Sequence, residues 1–199
     1  MTIPQTYRKS PEFSVNYDYV DIATGLGYEV YYGAETRDGT TPTTTKEYIL
    51  TDQIFPSSNI DIKILTNTEI EFETNKFKKK KIIDGTAIIS FGKHSDYSRN
   101  DTFLCRLYHV DKNDNETLIG STYMFGNIVN ESNILGKMEI SNVTIKPNEK
   151  LILKFKGYNI GSDDTYVGID PMGRSNTRFA DSSLASTKFR IALPFKLDI

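Results

Sequence analysis

Only one pair of residues in this chain sets a nucleophile near a base: Cys105 and His109, four positions apart. A thiol becomes catalytic when an imidazole within hydrogen-bond reach takes its proton. The segment Phe103 to Val110 has the composition of a strand, and residues four apart on a strand share a face but lie about 13–14 Å from each other. Phe103 and Leu107 occupy the same face. The pattern therefore reads as a buried structural cysteine and a satisfied histidine. His94 lies in a polar segment, and two histidines with scattered carboxylates have no metal-ligand spacing. A single cysteine excludes an intrachain disulfide and a thiolate zinc cluster. No glycine-rich phosphate loop and no serine in a nucleophile elbow is present.

Two acidic stretches could suggest calcium. Asp111, Asn113, Asn115 and Glu116 open like a calcium loop, but the sixth position is Glu116 where a glycine is needed, and the twelfth is Thr122 where an acid is needed. A hairpin turn accounts for them. Asp163, Asp164 and Asp170 are clustered without a ligand spacing. The residues thus predict no catalytic group, no metal and no cofactor, and the chain is expected not to be an enzyme.

Contacts are the remaining chemistry. Lys76, Lys78, Lys79, Lys80 and Lys81 surround Phe77. Such a run could meet phosphates, yet the formal net charge of −2 gives no global attraction to nucleic acid or to an anionic membrane. A solvated strand edge kept from pairing by its charge is the plainer reading, and contact with an acidic partner surface is the functional one. Tyr17, Tyr19, Tyr28, Tyr31 and Tyr32 could form a platform for sugar rings, although packing on a half-buried sheet explains tyrosines equally well.

The elements that must position these residues are strands. From Phe189 to Ile199, Phe189, Ile191, Leu193, Phe195, Leu197 and Ile199 alternate with Arg190, Ala192, Pro194, Lys196 and Asp198. That period of two predicts a strand with one dry face and one wet face, at a sheet edge or bent where Pro194 lacks its N–H. The same alternation predicts strands at Phe13–Tyr19, Tyr28–Gly33, Glu47–Leu50, Ile60–Ile64, Ile70–Phe72 and Ile82–Phe91. Phe103–Val110 and Glu116–Phe125 read as a hairpin. Met138–Ile145 and Leu151–Lys156 read as a second one across Lys146-Pro-Asn-Glu, with a bulge where the apolar parity switches between Ile140 and Val143. Gly33 to Thr45 reads as a long surface loop.

At 199 residues, with 38% apolar and 12% aromatic residues and no sustained helical period, the chain is long enough for one full domain. The expectation is an all-β protein, an antiparallel β-sandwich of the jelly-roll kind, over residues 13–199, preceded by an extended arm over 1–12. Tyr7, Arg8 and Lys9 on that arm, and Lys78, Lys79, Lys80 and Lys81 in the lysine run, are the candidate partner contacts. No apolar run of membrane-spanning length and no secretory start are visible.

Three stretches carry a resemblance: Tyr17-Asp-Tyr-Val-Asp-Ile-Ala-Thr-Gly-Leu-Gly-Tyr-Glu-Val-Tyr-Tyr-Gly, Tyr166-Val-Gly-Ile-Asp-Pro-Met-Gly-Arg and Leu193-Pro-Phe-Lys-Leu-Asp-Ile. With Leu107-Tyr-His-Val-Asp and Glu116-Thr-Leu-Ile-Gly between them, the chain resembles virion proteins encoded near capsid genes in tailed bacteriophages. The resemblance implies a non-enzymatic jelly-roll virion protein, an auxiliary or decoration protein on the capsid exterior. Its alternative is a glycan- or receptor-binding head-fibre or tail protein. The implied partners are the major capsid protein, other virion proteins or further copies of the chain, without membrane or specific nucleic acid. The implied location is the virion surface after synthesis in the host cytoplasm.

Overall fold

A computed structural model describes residues 26–37, 46–96, 101–126, 130–158, 164–180 and 184–196. Eleven strands are described: β1 (Leu26–Arg37), β2 (Lys46–Thr51), β3 (Asp61–Ile64), β4 (Glu69–Thr74), β5 (Lys81–Ser95), β6 (Thr102–Val110), β7 (Glu116–Phe125), β8 (Glu131–Ile145), β9 (Lys150–Tyr158), β10 (Thr165–Gly168) and β11 (Phe189–Lys196). There is no helix among the described residues, as the missing 3.6-residue period requires. The fold is the expected all-β sandwich.

One hydrogen-bonded sheet runs β3-β10-β5-β11-β1-β2-β4-β9-β6-β7, with β8 also on β5. β11 and β10 share one edge of β5 in tandem, and β8 runs along the other. Every described pairing is antiparallel except β2 with β4. The sheet folds over, so β4, β9, β6 and β7 face β1, β11, β5 and β8. Phe91 of β5 and Phe189 of β11 are stacked at 5.4 Å in one layer. Phe72, Phe103 and Phe155 meet them from the other layer, at 5.0 Å for Phe72 to Phe189 and 5.2 and 5.1 Å for Phe103 and Phe155 to Phe91. At one side the layers approach closely enough to demand glycine. A Cβ on Gly120 of β7 would stand 2.7 Å from Met138 of β8, and one on Gly136 of β8 would stand 2.4 Å from Met124 of β7.

Alternation settles most faces. β4 buries Ile70, Phe72 and Thr74 and turns Glu71 and Glu73 outward. β9 buries Leu151, Leu153 and Phe155. β6 and β7 form the expected hairpin. The bulge in β8 is present too: Ile83 pairs with Val143 but Gly85 pairs with Ile140, so two residues of β8 oppose one of β5.

Four expectations are corrected. β8 and β9 do not pair; β8 joins β5 while β9 lies between β4 and β6, so residues 146–149 cross from one layer to the other. Two alternating strands joined by a turn fit a hairpin and an inter-layer arch equally well, and burial on both inner faces selects the arch. The face of β11 expected to be wet is largely dry: Ala192 and Pro194 are buried as well as Phe189, Ile191, Leu193 and Phe195, while on that face Arg190 is half-buried and Lys196 exposed. It is central between β5 and β1, and Pro194 is tolerated because the register with β5 shifts between Ala192 and Phe195. The loop expected from Gly33 begins later, since β1 continues to Arg37. The lysine run is no strand edge: residues 75–80 connect β4 to β5, and only Lys81 belongs to a strand. The arm over 1–12, with Tyr7, Arg8 and Lys9, and the strand expected at Phe13–Tyr19 lie outside the described residues.

The inter-layer aromatic cluster sets the stability of the whole. Phe91→Ala, which removes the ring shared by three neighbours, is expected to cost about 3–5 kcal/mol, read as a lower urea midpoint with an unchanged m-value.

Candidate functional site

At the end of the sandwich where β6 runs into the hairpin turn, the inward parity that carries Phe103, Cys105 and Leu107 reaches His109. The arch between β8 and β9 comes to the same place and delivers Glu149. His109 Nε2 and Glu149 Oε2 are 2.7 Å apart, with 17% and 7% of their side chains exposed. A half-open groove of about 430 Å³ lies against them, also lined by Asp111, Thr117, Thr144 and Lys146. Thr117 is the cross-strand partner of His109 on β7, so both project from the same face.

Glu149 is held as a carboxylate. Burial pushes its pKa up, but the Lys146 backbone N–H at 2.6 Å and the His109 ring outweigh this and bring it below the usual value. An ionised carboxylate only accepts, so His109 donates from Nε2, and in the neutral imidazole the lone pair is then on Nδ1. Where a histidine acts as a general base, a carboxylate at its other ring nitrogen serves to orient it and hold its tautomer. Two threonines, Thr117 and Thr144, and two lysines, Lys112 and Lys146, line the groove beside His109.

Cys105 behaves as its spacing foretold. It is fully buried, and desolvation raises its thiol well above the ordinary range, which makes it a poor nucleophile. Asp111 closes a plain turn: Oδ1 accepts from the N–H groups of Asn113 and Asn115, and Oδ2 from the Asn115 amide. Asp164 pairs with Lys63 and accepts from Tyr166, whereas Asp170 is buried and bound by Arg174. They form no common site, and among the described residues no group of three histidine, cysteine or acidic side chains could hold a metal. Tyr31 is in the core, which removes it from any exposed platform. His94 lies between Asp96 and Glu131, at 3.7 and 3.4 Å. Lys79, Lys80 and Lys81 line a separate cavity.

Sequence reasoning missed Glu149 and Lys146 as neighbours of His109. The signal was a lysine and a glutamate flanking Pro147 and Asn148, but it becomes legible only when 146–149 is known to cross between layers. It also missed two buried polar clusters. Lys93 and Asp101 form a fully buried pair at 2.7 Å, and Ser95 links Asp101 to Thr165. Asp170 accepts from Ser57 N at 2.9 Å and from Arg174 N and Nε at 2.8 and 3.0 Å, which clamps the turn after β10 onto the segment before β3.

No protein-family model and no curated protein matches the sequence. Solved structures do match the fold. An alpha-amino acid ester hydrolase shares it with a TM-score of 0.59 at 9% identity, over 84% of this chain and 36% of that one. A CocE/NonD family hydrolase from Staphylococcus aureus shares it with a TM-score of 0.58 at 8% identity, over 86% of this chain and 37% of that one. An aminopeptidase from a marine sediment Thaumarchaeota archaeon follows at 0.50 and 6%, over 84% and 37%. At such identities the likeness shows the fold alone, and the chain spans little more than a third of these proteins.

This overturns the expectation of a phage virion protein, as capsid decoration or as a head-fibre or tail protein, together with the expectation that the chain is not an enzyme. The matching structures named above are hydrolases. The physical reason lies in what carried the resemblance. Tyr166 to Arg174 contains the Asp170 clamp, and Leu193-Pro-Phe contains the β11 register shift. Such features serve any sandwich that needs a pinned turn and a central proline, whatever its function.

The carboxylate of Glu149, with its lowered pKa, stabilises the fold fully above the ordinary glutamate value of about 4.3, and that contribution disappears as pH falls through its folded value. Glu149→Gln is therefore expected to be less stable than the wild type at pH 7, with the gap in urea midpoint narrowing as pH falls below the ordinary glutamate value.

Proposed function

We propose that this chain is a β-sandwich component of a hydrolase, and that the His109–Glu149 pair is the proton-transfer group it brings to cleavage of an ester or amide. The observation that carries this is the 2.7 Å contact between a histidine and a deprotonated, partly buried carboxylate in the wall of an open groove. The fold shared with an alpha-amino acid ester hydrolase and a CocE/NonD family hydrolase supports the reaction class.

No serine lines the groove, so the nucleophile in this reading is water. His109 Nδ1 takes a proton from water as its oxygen bonds to the carbonyl carbon, and Glu149 stabilises the imidazolium that forms. The ammonium groups of Lys146 and Lys112, which both line the groove, are the cations available to the developing oxyanion. The imidazolium then returns its proton to the departing alkoxide or amine as the carbon–heteroatom bond breaks. Glu149 is a positioning residue, because it acts through His109.

The test is hydrolysis of p-nitrophenyl acetate and of amino-acid p-nitroanilides by the purified chain. Turnover above buffer is expected, reduced about 100-fold or more in His109→Gln, the scale of general-base catalysis. In Glu149→Gln the rate should fall less and its pH profile should move. Equal rates for wild type and His109→Gln, with both folded by circular dichroism, would refute the assignment.

A further inference from the structure

The lysine run remains unexplained by the groove chemistry. Lys76, Lys78, Lys79 and Lys80 are all exposed, and none forms an ion pair with a described residue. Their backbone is nevertheless pinned. Phe77 is buried among them, its N–H donates to Glu149 O, and its own carbonyl accepts from Asn148 N, both at 2.8 Å. Phe77 also packs against Phe195 at 6.3 Å. At the exit of the loop Lys81 is paired with Glu29 and sits 4.5 Å over the Phe195 ring. Three like charges, Lys78, Lys79 and Lys80, are thus held between two anchors, with Lys76 just before the first, in a chain whose overall charge is −2. A free loop would splay to relieve this repulsion, and this one is tied at both ends.

Beside the loop, Lys79, Lys80 and Lys81 line a cavity of about 210 Å³ with Lys196, Glu29 and Phe195. The molecule already places carboxylates here: Glu29 binds Lys81, and Asp84 binds Lys196 at 2.8 Å. These pairs already neutralise Lys81 and Lys196, which leaves Lys79 and Lys80 as the cavity's cations without an ion pair to a described residue.

We infer that the loop Lys76–Lys80, with the cavity beside it, is a docking surface for a short acidic segment of a partner protein. Charge complementarity selects the partner's sign, and the neighbourhood limits its length. β4, which leads directly into the loop, carries Glu69, Glu71 and Glu73 on one face, with Glu71 and Glu73 exposed. A long polyanion such as duplex nucleic acid would run from the lysines onto these carboxylates, whereas a few acidic residues span the loop alone. A single small anion is poorly served, because flexible exposed ammonium groups without a buried donor give it no fixed cradle. The inference does not rest on the hydrolase reading, since the loop lysines are not among the residues lining the groove of His109.

The experiment is fluorescence polarisation of the full chain with a labelled ten-residue oligoglutamate, compared with duplex DNA and with inorganic phosphate as competitor. Oligoglutamate is expected to bind at low salt and to weaken as salt rises. The triple variant Lys78→Gln, Lys79→Gln, Lys80→Gln should bind at least about tenfold more weakly, while Lys137→Gln, exposed on β8, should bind as the wild type does. These side chains are exposed, so the triple variant is expected to fold, and its thermal midpoint at low salt should be no lower than that of the wild type. Equal binding by the triple variant, absence of oligoglutamate binding, tighter binding to DNA, or displacement by millimolar phosphate would each overturn the proposal.

Discussion

Five phenylalanine rings, Phe72, Phe91, Phe103, Phe155 and Phe189, hold the two layers of this sandwich together. They come from β4, β5, β6, β9 and β11, so no hairpin by itself contains the contact that stabilises it. Each ring is almost wholly removed from water, and tilted and stacked geometries suit the charge distribution of aromatic faces and edges. Because the cluster fixes the separation of the layers, it also fixes what can meet at their ends. His109 continues the inward parity of β6 just past this core, and the β8–β9 arch has the reach to bring Glu149 to it.

Polar groups mark the places where the layers are clamped. Lys93 and Asp101 lie in full burial, and Asp170 with Arg174 and Ser57 closes another margin. A buried ion pair contributes little net stability, since desolvation offsets its attraction, but losing one partner leaves the other uncompensated. Such groups penalise a sheet assembled in a shifted register, where they would be buried without partners. Placed around an aromatic interior, they make one arrangement of the eleven described strands preferable to its near neighbours.

The same geometry relates the groove to the lysine loop. Residues 146–149 supply Lys146 and Glu149 to the groove and, through Asn148 and Glu149, the backbone hydrogen bonds that fix Phe77. One arch therefore supports two surfaces of different chemistry, a histidine–carboxylate wall and a rigid cationic loop. Hydrolases share the fold over about a third of their length, and in this chain the distinctive chemistry lies at the ends and loops of the sandwich.

Alternation in the sequence determined the strands themselves. It separated Ile70 and Phe72 from Glu71 and Glu73, found the bulge in β8 from a change of parity, and removed Cys105 from catalysis by spacing alone. These are local consequences of a two-residue period, and they survive whatever the strand pairs with. Pairing between strands is not local. The β8–β9 arch, the central position of β11 and the meeting of His109 with Glu149 were decided by which apolar faces could be buried against each other across the whole chain. Such a choice depends on all the strands at once, so the turn Lys146-Pro-Asn-Glu, which fits a hairpin and an arch alike, acquired its role only in the tertiary structure.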